Sequence, residues 1–239
     1  MSEKGWFILI VALYGFFAFG YSVLVPPWEA PDETAHYLVV LHIAGEGEMP
    51  TSEETYEAIQ PPTYYWLASW LLRYLERLKP ALVSPYRPPL SPQEALTRYD
   101  WTAANFRFLW DMHLLRWVNI LVGGTALFFI YRGAASFTGT AAATSPTPQS
   151  AIPRAILALA GLMPQFAYNS ASLSNDPLAN AAGAFLFWMA ARLHAGAVRR
   201  RHVLLIVAAS LAFPLFIKLT ILPMAITVLV VAVARVLQQ

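Results

Sequence analysis

The stretch from Pro26 to Ile43, PPWEAPDETAHYLVVLHI, decides how the rest of the chain is read. It follows an apolar run that closes at Val25 and puts Glu29, Asp32, Glu33 and His36 where a helix would leave a membrane and meet water. Acidic side chains cost least there. Pro31 suits the first position of a helix, where a missing N–H is no loss, and Asp32 and Glu33 then fall in the first turn, where the helix dipole favours negative charge. From Asp32 the residues His36, Val39, Val40 and Ile43 recur at helical spacing, so Asp32 and His36 share a face that turns apolar further along. The pattern predicts a short helix ending at Gly45, lying at the membrane surface with one or two carboxylates at its mouth. The plainer alternative is that Asp32 and Glu33 only charge a helix start.

Working outward, the 239 residues are 57% hydrophobic and 13% charged, with a mean hydropathy of +0.48, whereas an average soluble domain is about 25% charged. This is the composition of an integral membrane protein, with an all-α, polytopic transmembrane bundle as its expected fold. A net charge of +2, with the basic residues strung between apolar spans, argues against nucleic acid. The lack of cysteine excludes disulfides, thiolate metal sites and a thiol nucleophile. The first apolar run, Trp6 to Val25, is too long for a signal-peptide core, and VPPWEA is a poor cleavage site, so it reads as a retained signal anchor.

A bilayer core of about 30 Å needs roughly 20 apolar residues as helix. Six spans meet that rule or approach it: Trp6 to Val25, Leu114 to Tyr131, a short one from Ile156 to Asn169, Pro177 to Leu193, Val203 to Ile217, and Leu219 to Val236. The last two are joined so tightly, with Pro214 and Pro223 near the junction, that a hairpin or broken pair is required. Alternating the spans from a cytoplasmic N-terminus puts Arg132, Arg154, Arg192, Arg199, Arg200, Arg201 and Arg235 inside, leaving Lys218 in the outer short loops, as the positive-inside rule demands. The plasma membrane of a bacterium or archaeon is the expected location, with residues 26–113 outside and the whole of 1–239 one membrane domain. Within that outer segment, TYYWLASWLLRYLERLK sets Trp66, Leu67, Trp70, Leu71, Tyr74, Leu75 and Leu78 on one side and Ser69, Arg73, Glu76, Arg77 and Lys79 on the other, an interfacial helix. Pro80 to Pro92 reads as irregular, and a third short helix is expected from Pro92 to Asp111. The inner loop FTGTAAATSPTPQSAIPR is a flexible connection without chemistry.

This topology collects four polar groups on the outer face: Asp32, Glu33 and His36; QPPTYY with Tyr64; NSASLSND with Asn175 and Asp176; and Lys218 with Thr220. An acid, an amide-rich turn and a lysine at one interface make a plausible reaction site. Asn175-Asp176-Pro177 also reads as a helix start with a capping side chain. Lys218 and Arg116 also read as residues snorkelling to headgroups, although an inward Arg116 would suit a phosphate. Asp32 and His36, at i, i+4, offer two metal ligands with Glu33 or a distant acid as a third. Two ligands are not a site, so no metal residue is assigned and a divalent cofactor is left open.

The motifs PPWEAPDETAHY, QPPTYYWL, LRWVNILVG, SNDPLANA and FIKLT, taken in order, resemble the GT-C superfamily of membrane glycosyltransferases, above all its protein O-mannosyltransferase-like branch and a related family of uncharacterised bacterial membrane proteins. The resemblance implies a transferase that takes a sugar from a polyprenyl-phosphate carrier and acts outside the cytoplasm, among membrane lipids, on an acceptor the sequence does not name. It maps the catalytic carboxylate onto Asp32, with Glu33 as its neighbour. A phosphate leaving group needs no strong general acid, only a base for the incoming hydroxyl and cations for the phosphate, for which Arg116 and Lys218 are the candidates. Such enzymes are usually much longer, so a short or truncated member is expected. The rival is a non-catalytic scaffold or a transporter of lipid-linked sugars, which should show broken helices at mid-membrane and repeat symmetry.

Overall fold

The computed structural model of the chain describes residues 2–78, 110–140 and 151–237. Most of the proline-rich stretch and the third outer helix, up to residue 109, and the middle of the inner loop, 141–150, lie outside the described residues. The described residues are mainly helical with no strand among them: α1 (Glu3–Leu24), α2 (Glu33–Glu46), a 3-10 turn (Tyr56–Ile59), α3 (Thr63–Leu78), α4 (Trp110–Thr140), α5 (Ala151–Gly161), α6 (Pro164–Ser170), α7 (Asp176–His194), α8 (Arg200–Phe216), a second 3-10 turn (Leu219–Ile221) and α9 (Leu222–Leu237). Three stretches are long and apolar enough to cross a membrane: α1, α4 over Trp110–Thr138, and the run Leu219–Leu237. This is the fold class expected of a membrane protein.

α4 is the central post, packed against α1, α3, α5, α6 and α7. Its close neighbours approach over glycine. A Cβ on Gly133 would run into the Phe187 ring and lie 3.3 Å from the Trp188 Cα, and one on Gly123 would overlap the Tyr14 hydroxyl and Ser170 Oγ. The Tyr14 hydroxyl donates to Ile120 O at 2.9 Å, so the α1–α4 crossing is pinned where it is tightest. Gly133→Val is therefore expected to push α7 off α4 and cost about 1–3 kcal/mol, the usual penalty of overpacking; unfolding of the purified protein in lipid or detergent would measure it.

Three sequence expectations change here. The run Ile156 to Asn169 is two helices, because Pro164 has no N–H to donate and forces Met163 before it into extended backbone (ψ 116°). α2 begins at Glu33, with Asp32 outside it in the left-handed region (φ 59°), so Pro31 precedes the helix instead of opening it; the helix runs past Gly45 and stops at Gly47 (φ 82°). α3 keeps its expected apolar side outward, and Glu76 and Arg77 are exposed, but Ser69 is buried and Arg73 half-buried. Tyr64, Tyr65, Ala68, Ser69 and Leu72 face the core, whereas Trp66, Leu67, Trp70, Tyr74 and Leu78 are exposed. Ser69 and Arg73 were expected on the wet side. Instead Ser69 Oγ donates to Val40 O at 2.9 Å and Arg73 Nε to Ala44 O at 2.8 Å, the latter one of the last-turn carbonyls of α2 that lack a helical partner. The aromatic side is left to the surroundings, as suits headgroup depth.

Candidate functional site

The turn before α2 is held in an unusual shape. Trp28 (φ 75°) and Asp32 (φ 59°) are the described non-glycine residues with left-handed backbone, which costs a side-chain-bearing residue about 1–2 kcal/mol. Trp28 offsets this by burying its ring against Tyr37, centroids 5.2 Å apart, and by donating its N–H to Glu33 Oε2 at 3.0 Å.

Glu33 is fully buried and its carboxylate is saturated. Besides Trp28 it accepts from Arg116 Nε at 2.8 Å, Arg116 Nη2 at 2.6 Å and Leu173 N at 2.9 Å. Arg116, only 1% exposed, spends its other donors on Ser22 O and Val25 O at 2.9 Å and Pro26 O at 3.3 Å. One ion pair thus ties the end of α1, the turn, α4 and the 171–175 loop together. Beside it, Asn119 Nδ2 donates to Ser172 O at 2.8 Å, Ser174 O at 3.2 Å and the Tyr64 hydroxyl at 3.1 Å, fixing the same loop. Glu33, Arg116 and Tyr64 therefore form the wall of the site, not its open surface.

That wall presents a second group of residues. Asp32 is exposed and accepts from the Tyr56 hydroxyl at 2.5 Å. Lys218 Nζ donates to Asp176 Oδ1 at 2.5 Å and Asn175 Oδ1 at 2.7 Å. Asn175 does not cap α7: its backbone is already helical (φ −80°, ψ −4°) and its carbonyl oxygen goes to the ammonium, a charged partner. Its buried Nδ2 has no hydrogen-bond partner among the described residues. His36, 4% exposed, meets the Tyr65 hydroxyl through Nδ1 at 2.8 Å, and that hydroxyl donates to Glu57 Oε2 at 3.2 Å. Asp32, Asp176 and Lys218 lie near enough for their charges to act on the His36 ring. Burial, aided by Lys218 and opposed by Asp176 and Asp32, pushes His36 down to about 4, so it is neutral at pH 7. Burial pushes the Glu57 carboxyl above its ordinary value, against the Tyr65 hydrogen bond.

Below these groups an apolar cavity of about 520 Å³ opens between α4, α6, α7 and the second 3-10 turn. Asn180, Gly183 and Phe187 line it, and these follow Asp176 at +4, +7 and +11 along one face of α7. Thr220 and Ile221, just after Lys218, line the other side. Its lining therefore starts about one helical turn along α7 from Asp176 and two residues after Lys218.

No family model, curated protein or solved structure matches this chain. The site is read from its geometry. Among the described residues no group of three or more His, Asp or Glu is placed to hold a metal, and Glu33, the third ligand considered, is turned into the wall. Tyr56, Glu57 and Asn119 were not singled out from sequence, whereas Tyr65 closes the QPPTYY group. The first two sit in TSEETYEAIQ, which reads as a polar loop, and Asn119 sits alone in an apolar helix; a lone amide in a membrane helix was the one available signal.

Proposed function

We propose that the chain is a membrane glycosyltransferase that moves a sugar from a polyprenyl-phosphate donor to an acceptor hydroxyl on the extracytoplasmic side. The observation that carries this reading is an apolar cavity whose lining residues Asn180 and Thr220 lie close in the chain to the paired Asp176 and Lys218. An isoprenoid tail fits such a cavity, the phosphate meets Lys218 Nζ and the unpartnered Asn175 Nδ2, and the sugar lies toward Asp32. Asp32 takes the proton of the acceptor hydroxyl as its oxygen bonds to the anomeric carbon. The bond from that carbon to the phosphate oxygen breaks, and the phosphate leaves with its charge facing Lys218.

In this reading α1, α4, α5 with α6, α7, α8 and the Leu219–Leu237 run make six crossings, with both termini cytoplasmic. The distribution of arginine supports it. Arg154 pairs with Glu3 at 3.7 Å, and Arg235 donates to Leu193 O at 2.7 Å, so these cations gather at the end of the bundle remote from Asp32 and Lys218.

The test is transfer or donor hydrolysis by the purified chain in lipid with a panel of polyprenyl-phosphate sugars, wild type against Asp32→Asn. Activity lost in the variant supports the reading; no binding of any donor by wild type overturns it. Gly183 gives an independent check, because a Cβ there would meet nothing within 4 Å. Gly183→Phe should fill the cavity without disturbing the fold and weaken donor binding roughly 10- to 100-fold, given about 0.8 kcal/mol for each buried CH₂ of the tail. Donor titration would show it.

A further inference from the structure

The arrangement of His36, Tyr65 and Glu57 settles which ring nitrogen of His36 carries the proton. A carboxylate only accepts hydrogen bonds, and a hydroxyl has one proton to give. With the Tyr65 hydroxyl donating to Glu57 Oε2, its oxygen must accept from His36, so Nδ1 is the N–H and Nε2 is bare. Glu57 and Tyr65 are 6% and 0% exposed, so water does not compete for these bonds. Nε2 has no partner among the described residues.

We propose that Glu57 is a positioning residue, acting through Tyr65 to fix His36 in the Nδ1–H tautomer so that bare Nε2 accepts a hydrogen bond from a hydroxyl of the donor sugar. This rests on the transferase reading for the identity of the ligand, and not for the tautomer. Protonating Glu57 reverses the chain: its O–H donates to Tyr65, Tyr65 donates to Nδ1, and the ring proton moves to Nε2, which then repels the donor it formerly received. The groups facing this unit are Asp32 before α2, Tyr64 on α3, and Asp176 and Lys218 across the site. Burial pushes Glu57 up and His36 down to about 4, so on acidification the tautomer turns over first and the ring ionises afterwards.

The experiment is nitrogen NMR of the full chain in lipid nanodiscs, labelled at histidine, with His36→Gln to assign the resonances. At pH 7 the expected spectrum has a bare Nε2 and a protonated Nδ1; in Glu57→Ala that preference is lost. Wild type alone gives a second arm, since Nε2 should gain its proton at a higher pH than the one at which the ring becomes cationic. A protonated Nε2 at pH 7, or no tautomer change on acidification, overturns the proposal. Adding a polyprenyl-phosphate sugar should shift the Nε2 resonance, and the same polyprenyl phosphate without its sugar should not. A shift with neither lipid removes the sugar contact while leaving the tautomer result to stand on the spectra; a shift with both assigns Nε2 to the carrier and overturns the sugar assignment.

Discussion

Asp32→Asn is expected to lower sugar transfer by about 10²- to 10⁴-fold, the usual contribution of a general base, with donor affinity little changed. Asparagine tolerates the left-handed backbone that Asp32 adopts, so the turn keeps its shape. Its carbonyl oxygen can still accept from the Tyr56 hydroxyl. What it lacks is a lone pair able to take a proton. The other polar groups of the cluster do not substitute for it: Asp176 is committed to Lys218, and Glu57 lies behind Tyr65. Turnover and equilibrium donor binding, measured side by side, check the prediction. A variant that retains full turnover would remove Asp32 from the mechanism.

Arg116→Leu is expected to destabilise the protein by about 3–5 kcal/mol, because it leaves the buried Glu33 carboxylate without its cation. The cost is at the high end for single substitutions, since the carbonyls of Ser22, Val25 and Pro26 each lose a hydrogen bond as well. Glu33→Leu should be similarly damaging, stranding the guanidinium and the N–H groups of Trp28 and Leu173. The double variant should recover part of the loss, because no unpaired charge remains; a double-mutant cycle on unfolding free energies measures the coupling. Additive losses would mean that the two side chains do not act as a pair.

These two neighbouring acids show how far the sequence could be read. The apolar runs and the position of the acidic turn follow from composition and periodicity. The division of labour between Asp32 and Glu33 does not. Two carboxylates side by side are chemically alike on paper, and the left-handed residue that turns one outward and the other inward is a tertiary outcome. Arg116 was legible as an inward cation, but its partner is 83 residues away, and periodicity carries no information across that distance. Two residues on the polar side of α3 were misplaced for a related reason. Polar residues on a helix face usually mean water, yet Ser69 and Arg73 find carbonyls of α2, a demand set by a neighbouring element's end. Pro164 was visible, though its power to divide a span was not weighed.

The bond from Lys218 to Asp176 has a consequence for synthesis. The chain leaves the ribosome from its N-terminus, so Asp32, His36 and Asp176 are all made before the lysine that completes their cluster. Until the Leu219–Leu237 run follows, Asp176 lacks the Lys218 ammonium and the cavity lacks the wall supplied by Thr220 and Ile221. A nascent chain halted before Lys218 would hold the turn and its buried ion pair but not this side of the cavity, so the cavity is completed only after the Leu219–Leu237 run is made.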